Sequence, residues 1–207
     1  MVRHSDDANT TLAALNGFFS RLSAAVDGCN WVALSQLVDV PSMAASFLGT
    51  ELSNDPDAYA KSTYLVVHHL AKSDAILAAG PLWDKNLGYG GDSRSIVTGW
   101  RALASCTGAG CDVLDNSLTV FGALARCSPF MIAAATAWRT ARLAGLADAA
   151  LVAWLHQQAD RLTSTGAVER DARRWRRGSD FGRELAALQA WLQRRAAWMD
   201  EHLRAEK

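Results

Sequence analysis

The chain has 207 residues, with 21 Lys and Arg against 21 Asp and Glu, and half of its residues are apolar. That suits one domain with a proper core, and a balanced charge excludes the dense basic surface that a nucleic-acid binder needs. The best apolar run, Phe130 to Trp138, is far shorter than the roughly 20 residues of a membrane-spanning helix.

In chain order the pattern predicts mostly helix and one short β-hairpin. Residues 10–26 place Leu12, Leu15, Phe18, Phe19 and Leu22 on one helical stripe. Asn30 caps a short helix ending at Leu37. Asp39 and Pro41 open another that runs to about Leu52 and buries Met43, Phe47 and Leu48. Asn54-Asp55-Pro56-Asp57 breaks it. Thr63 to His68 is rich in β-branched and aromatic residues and reads as a strand, with a turn at Lys72-Ser73-Asp74 and a return over Ala75 to Ala79. Residues 88–112 are loop-rich. Helices follow near 117–126, 129–143, 147–163, 167–176 and 180–204, with Gly145, Gly166 and Gly178 between them as C-caps. In the last helix Phe181, Leu185, Leu188, Leu192 and Met199 recur at helical spacing. The chain is read as one domain over 1–207, a site-bearing region (10–112) followed by a helical one (113–207).

The chemistry concentrates in two acidic turns joined by the hairpin. Asp84 and Asn86 lie two residues apart in Gly80-Pro81-Leu82-Trp83-Asp84-Lys85-Asn86-Leu87-Gly88-Tyr89-Gly90. They are hard oxygen ligands, suited to a magnesium ion that also holds phosphate oxygens. Upstream, Asp57 is followed five residues later by Ser62. The bland alternatives are a turn-capping Asp57 and an Asp84 that accepts backbone N–H groups in its own loop. Trp83 and Tyr89 read as loop packing. Trp138, Trp154, Trp191 and Trp198 read as core or groove residues. His156 and His202 have no visible role. The cluster from Arg170 to Arg177 has acidic neighbours and reads as a solvated helical face.

Four cysteines are present, Cys29, Cys106, Cys111 and Cys127. Their spacing is wrong for zinc. The Cys106 and Cys111 pair could close a loop disulfide in an exported protein, or all could be free thiols in a reducing compartment. The polar N-terminus carries no apolar leader core, which taken alone points to the cytoplasm.

Glu51-Leu52-Ser53-Asn54-Asp55-Pro56-Asp57-Ala58-Tyr59-Ala60-Lys61-Ser62-Thr63-Tyr64, followed by Gly80-Pro81-Leu82-Trp83-Asp84-Lys85-Asn86, resembles the core of CotH-type proteins, the spore-coat-H-like atypical protein kinases. Trp138-Arg139-Thr140-Ala141-Arg142 is similar to a third segment of that family. The stretch from Leu188 to Asp200, with Trp191, Arg195 and Trp198 at its fixed points, is similar to a fourth. The resemblance implies a helical kinase-related C-lobe with the hairpin at its active site, and phosphoryl transfer from ATP to a protein hydroxyl. Asp57 would be the catalytic acid. Asp84 would be the magnesium ligand, with Asn86 and Ser62 assisting. Lys85 would reach a phosphate of the ATP cofactor. Two positions depart from the family: Asp55 stands where Asn is usual, and Lys85 where an aromatic is. The family's N-terminal half, which carries the phosphate-gripping residues, is not recognisable in these residues. The expectation is therefore a partial domain, active only when completed. The alternative is a non-catalytic interaction module. A hydrolase using Asp57 and Asp84 as paired carboxylates needs only a shared cleft. Partners would be a protein substrate, the missing half or a second copy, with an exposed apolar patch beside the hairpin around Tyr64, Val66, Ile76 and Leu77. Family members are often exported, so a lost leader would move the chain out of the cytoplasm.

Overall fold

The structure, a computed structural model, describes residues 6–70, 72–105, 115–175 and 180–203. It is mostly helical, as expected, with a single two-stranded antiparallel sheet among the described residues. The helices are α1 (Asp6–Asp27), α2 (Trp31–Leu37), α3 (Val40–Ser53), α4 (Val120–Ala125), α5 (Ser128–Ala144), α6 (Asp148–Ser164), α7 (Ala167–Trp175) and α8 (Phe181–His202). The strands are β1 (Leu65–His68) and β2 (Ile76–Ala79), with Leu65 opposite Ala79 and His68 opposite Ile76.

Side-chain caps fix several helix starts. Asn30 accepts from the Ala33 amide, Asp39 from Ser42, Thr119 from Gly122 and Asp180 from Arg183, each satisfying a donor that the first turn leaves free. The helix expected near 117–126 is divided. Residues Asn116–Leu118 form a 3-10 turn, and Thr119 then caps α4. Gly122 permits this, because a Cβ there would lie 2.5 Å from the carbonyl oxygens of Asn116 and Ser117.

α3 is the central element. Met43 and Phe47 are fully buried, and Phe47 meets Phe130 of α5 edge-on with ring centroids 5.6 Å apart. Ala134 and Ala135 let α5 approach closely, and Ala196 and Met199 bring the C-terminal half of α8 into the same core. β2 covers another side of α3 through Leu77, which pairs with Val38 in an isolated bridge.

Some expected positions moved. On α1 the buried stripe is Phe18, Leu22 and Ala25, while Leu12 and Phe19 are exposed. The stripe is set by what α4 and α2 cover, and apolar spacing alone admitted a wider face. Trp138 and Trp191 are buried, but Trp154 is 60% exposed, because α6 packs mainly on α7 and α8. α7 buries none of its residues. Beside the hairpin, Tyr64 and Val66 are exposed together with Leu65, Leu82 and Trp83, whereas Leu77 is fully buried in the core.

A disulfide links Cys29, in the α1–α2 turn, to Cys127, just before α5, with Cα atoms 5.5 Å apart and a sequence separation of 98. The expectation for Cys106 and Cys111 lies outside the described residues. Closing a loop of that size removes denatured-state freedom equivalent to about 4–5 kcal/mol. A Cys29→Ser, Cys127→Ser double variant is therefore expected to lose about 4 kcal/mol in urea unfolding, and a reductant should lower the wild-type midpoint but leave the variant's unchanged.

Candidate functional site

The site is built on the C-terminal end of α3. Glu51 is fully buried there and sits at the centre of a polar network. One carboxylate oxygen accepts from Tyr59 Oη (3.0 Å) and the Ala102 amide (2.8 Å). The other accepts from the Arg101 amide (2.8 Å) and Arg195 Nη2 (3.0 Å). Arg195, from α8, is also fully buried. Its Nε donates to the Glu51 carbonyl, its Nη1 donates to the carbonyls of Val97 and Gly99 at 2.8 Å each, and its guanidinium lies 4.6 Å from the Trp198 ring centre. Burial works against both charges. It raises the Glu51 carboxyl, offset chiefly by Arg195, and brings Arg195 down to about 10, offset chiefly by Glu51. Tyr59, Arg101, Ala102 and Arg195 all donate to the Glu51 side chain, the pattern of a carboxylate. The network thus joins α3, the 97–102 loop and α8.

α3 ends at Asn54 in the left-handed conformation (φ 47°). Its side-chain oxygen accepts from Arg101 Nη2 (2.6 Å) and the Ile96 amide (3.0 Å). Asp55 follows and is fully buried. One of its oxygens accepts from the Asp57 amide (2.9 Å), the other from the Leu87 amide (3.1 Å). A single carboxylate therefore fastens the first acidic turn to the loop carrying Asp84. Lys85 Nζ donates to the Ser62 carbonyl (2.8 Å), and the Tyr89 amide donates to the Ser53 carbonyl (2.7 Å), so the two turns are joined at three points.

The expected site residues take different positions around this clamp. Asp57 is half-buried and forms an ion pair with Lys61 at 3.4 Å. Asp84 is exposed, at φ 50°, and makes no hydrogen bond or close ion pair among the described residues. Asn86 is also exposed. Ser62 is buried and its carbonyl is occupied by Lys85. Lys85 itself is half-buried. Burial lowers its pKa, with Asp55 and Asp84 pulling it back. Among the described residues no group of three or more His, Cys, Asp and Glu is arranged to hold a metal ion.

Lys85 and Asn86 also form the rim of an open groove of about 810 Å³ between their loop and α8, with Tyr89, Leu188, Trp191 and Arg194 among its walls. Gly90 (φ 79°) makes the close approach possible, since a Cβ there would lie 2.5 Å from the Trp191 ring. The indole N–H of Trp191 is buried without a partner. A second cluster lies at the far end of α8. Asp200 accepts from Trp138 Nε1 (2.7 Å) and Arg142 Nη2 (2.8 Å), and Arg142 also holds Asp148 at 2.6 Å. His202, without a role in the sequence reading, stacks on Trp198 at 4.1 Å.

Sequence reading singled out neither the Glu51–Arg195 pair nor the Asp55 clamp for a role. The signals for them were the places of Glu51 and Arg195 in the segments that carry the family resemblance and the departure at Asp55. No family model, curated protein or solved structure matches the chain.

Removing Arg195 leaves a buried carboxylate uncompensated, so Arg195→Met is expected to cost about 3–5 kcal/mol in urea unfolding. The unpaired Glu51 carboxyl in that variant would have a folded pKa raised still further above its unfolded value. Its protonation then favours the folded state, so the deficit should shrink in mildly acidic buffer and widen in mildly alkaline buffer. A different signature is expected for Asp55→Ala. It orphans the Asp57 and Leu87 amides at about 1–3 kcal/mol, and hydrogen exchange should show lost protection at Leu87 while the amides of Arg101 and Ala102 stay protected.

Proposed function

We propose that the two clamped turns form a phosphoryl-transfer site of the CotH-kinase kind, acting on a protein hydroxyl. The observation that supports this reading is the Asp55 carboxylate, which binds the Asp57 and Leu87 amides at once and so keeps the candidate acid and the candidate metal loop in one fixed arrangement. Phosphoryl transfer depends mostly on positioning and charge stabilisation, and a pre-set arrangement of two loops suits that demand. Asp57 would take the proton of the acceptor hydroxyl. Asp84 and Asn86, both exposed, fit a magnesium ion, which commonly takes one or two protein oxygens and keeps water and phosphate oxygens for the rest. Ser62 fits less well, being buried with its carbonyl bonded to Lys85. Magnesium, when bound with ATP, would neutralise the charge on the phosphate oxygens. Lys85 retains two further N–H donors for a phosphate.

A second reading, a non-catalytic interaction module, is favoured by a separate observation. Lys85 is drawn inward onto a backbone carbonyl and Lys61 onto Asp57, which leaves neither poised as a phosphate grip. On the catalytic reading Lys85 offers a phosphate only its two remaining donors, and further phosphate-binding cations come from another stretch of polypeptide, such as the family's N-terminal half.

Manganese titration followed by NMR tests the catalytic reading. Amide signals of residues 57–62 and of 84–88 should broaden together, and Asp84→Ala should abolish both effects. Broadening confined to one turn, or none, would sink it. Calorimetry with ATP and magnesium should give binding by the 207-residue chain weaker than about 1 mM. Tight binding lost in Asp84→Ala would show instead that the chain completes its own nucleotide site.

A further inference from the structure

The hairpin leaves one strand edge open, and the register says which backbone groups line it. The Gly80 amide donates to the Tyr64 carbonyl at 2.8 Å, so Tyr64 and Gly80 form a hydrogen-bonded pair. Hydrogen-bonded and non-bonded pairs alternate along an antiparallel ladder. With Leu65 opposite Ala79 and Val66 opposite Ala78, the residues that bond across to β2 are Tyr64, Val66 and His68. The N–H and C=O of Leu65 and Val67 therefore point the other way. No strand lies beyond β1 among the described residues, and neither residue's outward backbone groups have a partner there.

Natural proteins guard such edges with Lys, Pro or a bulge. β1 reads Leu65-Val66-Val67-His68 and has none of these. Its flanks are apolar instead. Tyr64 and Trp83, edge-on with ring centroids 6.0 Å apart, are 54% and 56% exposed, and Val66 is exposed beside them. On the strand's other face Leu65 lines an open cavity of about 560 Å³ with Phe19, Leu22, Leu118 and Val120, so space is available next to the edge.

We propose that β1 pairs with β1 of a second copy of this chain, antiparallel about a two-fold axis through Val66, to give one four-stranded sheet. The edge is self-complementary in that single register. Leu65 and the partner's Val67 exchange both backbone hydrogen bonds, and the symmetry-related pair does the same, so every outward group finds its counterpart. Val66 meets the partner's Val66 as a non-bonded pair, where side chains come closest. Tyr64 faces the partner's His68. No Asp, Glu, Lys or Arg lies between Tyr64 and His68, so no like charges are opposed. Backbone bonds alone would make a small contact. A stable interface needs roughly 800 Å² per partner, and the exposed Tyr64–Trp83 pair beside the strand supplies apolar surface toward it. The proposal stands independently of the phosphoryl-transfer reading, since Asp57, Asp84 and Asn86 take no part in it.

Sedimentation equilibrium at about 100 µM chain should give twice the 22.3 kDa chain mass. Val66→Lys places two ammonium groups face to face across the axis and should give a monomer with an unchanged circular dichroism spectrum and a melting temperature that no longer depends on chain concentration. Val66→Thr should keep the dimer. Val66→Cys should form an interchain disulfide on mild oxidation, because the roughly 4.5 Å Cα separation of a non-bonded pair falls within the range that a disulfide bridges. A monomeric wild-type chain, including one that captures a foreign strand at this edge, would overturn the proposal. So would a dimer that survives Val66→Lys, since its interface must lie elsewhere.

Discussion

The buried ion pair between Glu51 and Arg195 is the constraint on which the other elements depend. Two charges removed from water are costly unless their lone pairs and protons are all used, and here they are used by backbone that would otherwise be irregular. The 97–102 loop has no sheet or helix to satisfy it apart from one 3-10 turn. Its amides at Arg101 and Ala102 end on the Glu51 carboxylate, and its carbonyls at Val97 and Gly99 end on the Arg195 guanidinium. One pair of side chains thus takes up four backbone groups of that loop. It also fixes how α8 crosses the end of α3.

The candidate site inherits its order from that core. Asn54 leaves α3 in a left-handed turn held by Arg101, and Asp55 begins the turn that presents Asp57. Since Asp55 also holds Leu87, the position of the Asp84 loop follows from the position of the α3 terminus. On the proposed kinase reading, position 55 would carry Asn. An Asn side chain offers one acceptor oxygen, whereas the carboxylate offers two, and both are occupied by amides. The departure therefore matches the job that the residue performs in this chain.

Local signals made much of the fold legible. Asn30 and Asp39 are capping residues at the starts of periodic apolar stretches, and the β-branched run before Lys72 gave the hairpin. Long-range chemistry was less visible. Cys29 and Cys127 lie 98 residues apart with no local pattern to join them, whereas the close spacing of Cys106 and Cys111 drew attention first. Arg195 sits at a fixed point of the last family-like segment, but its burial was not legible there, because it depends on a carboxylate 144 positions away. Trp154 shows the converse: its spacing fitted a core, but no element arrives to cover it. In the site, Asp57 and Asn86 lie in turns and Asp84 in irregular chain, while the inward turn of Lys85 onto Ser62 depends on tertiary placement that the sequence pattern does not carry.

The α6–α7 pair has a consequence for the energy landscape of the molecule. Leu155 and Ala159 are the only buried residues of α6, and α7 contributes none, so little apolar surface is exposed when this pair detaches from α8. Regions with so few buried contacts open at a fraction of the global free energy. The Cys29–Cys127 crosslink and the Glu51 network lie elsewhere and do not oppose that opening. The α6–α7 pair is therefore expected to open ahead of the crosslinked body. An insertion between Gly145 and Gly166 would burden that pair and leave the body intact.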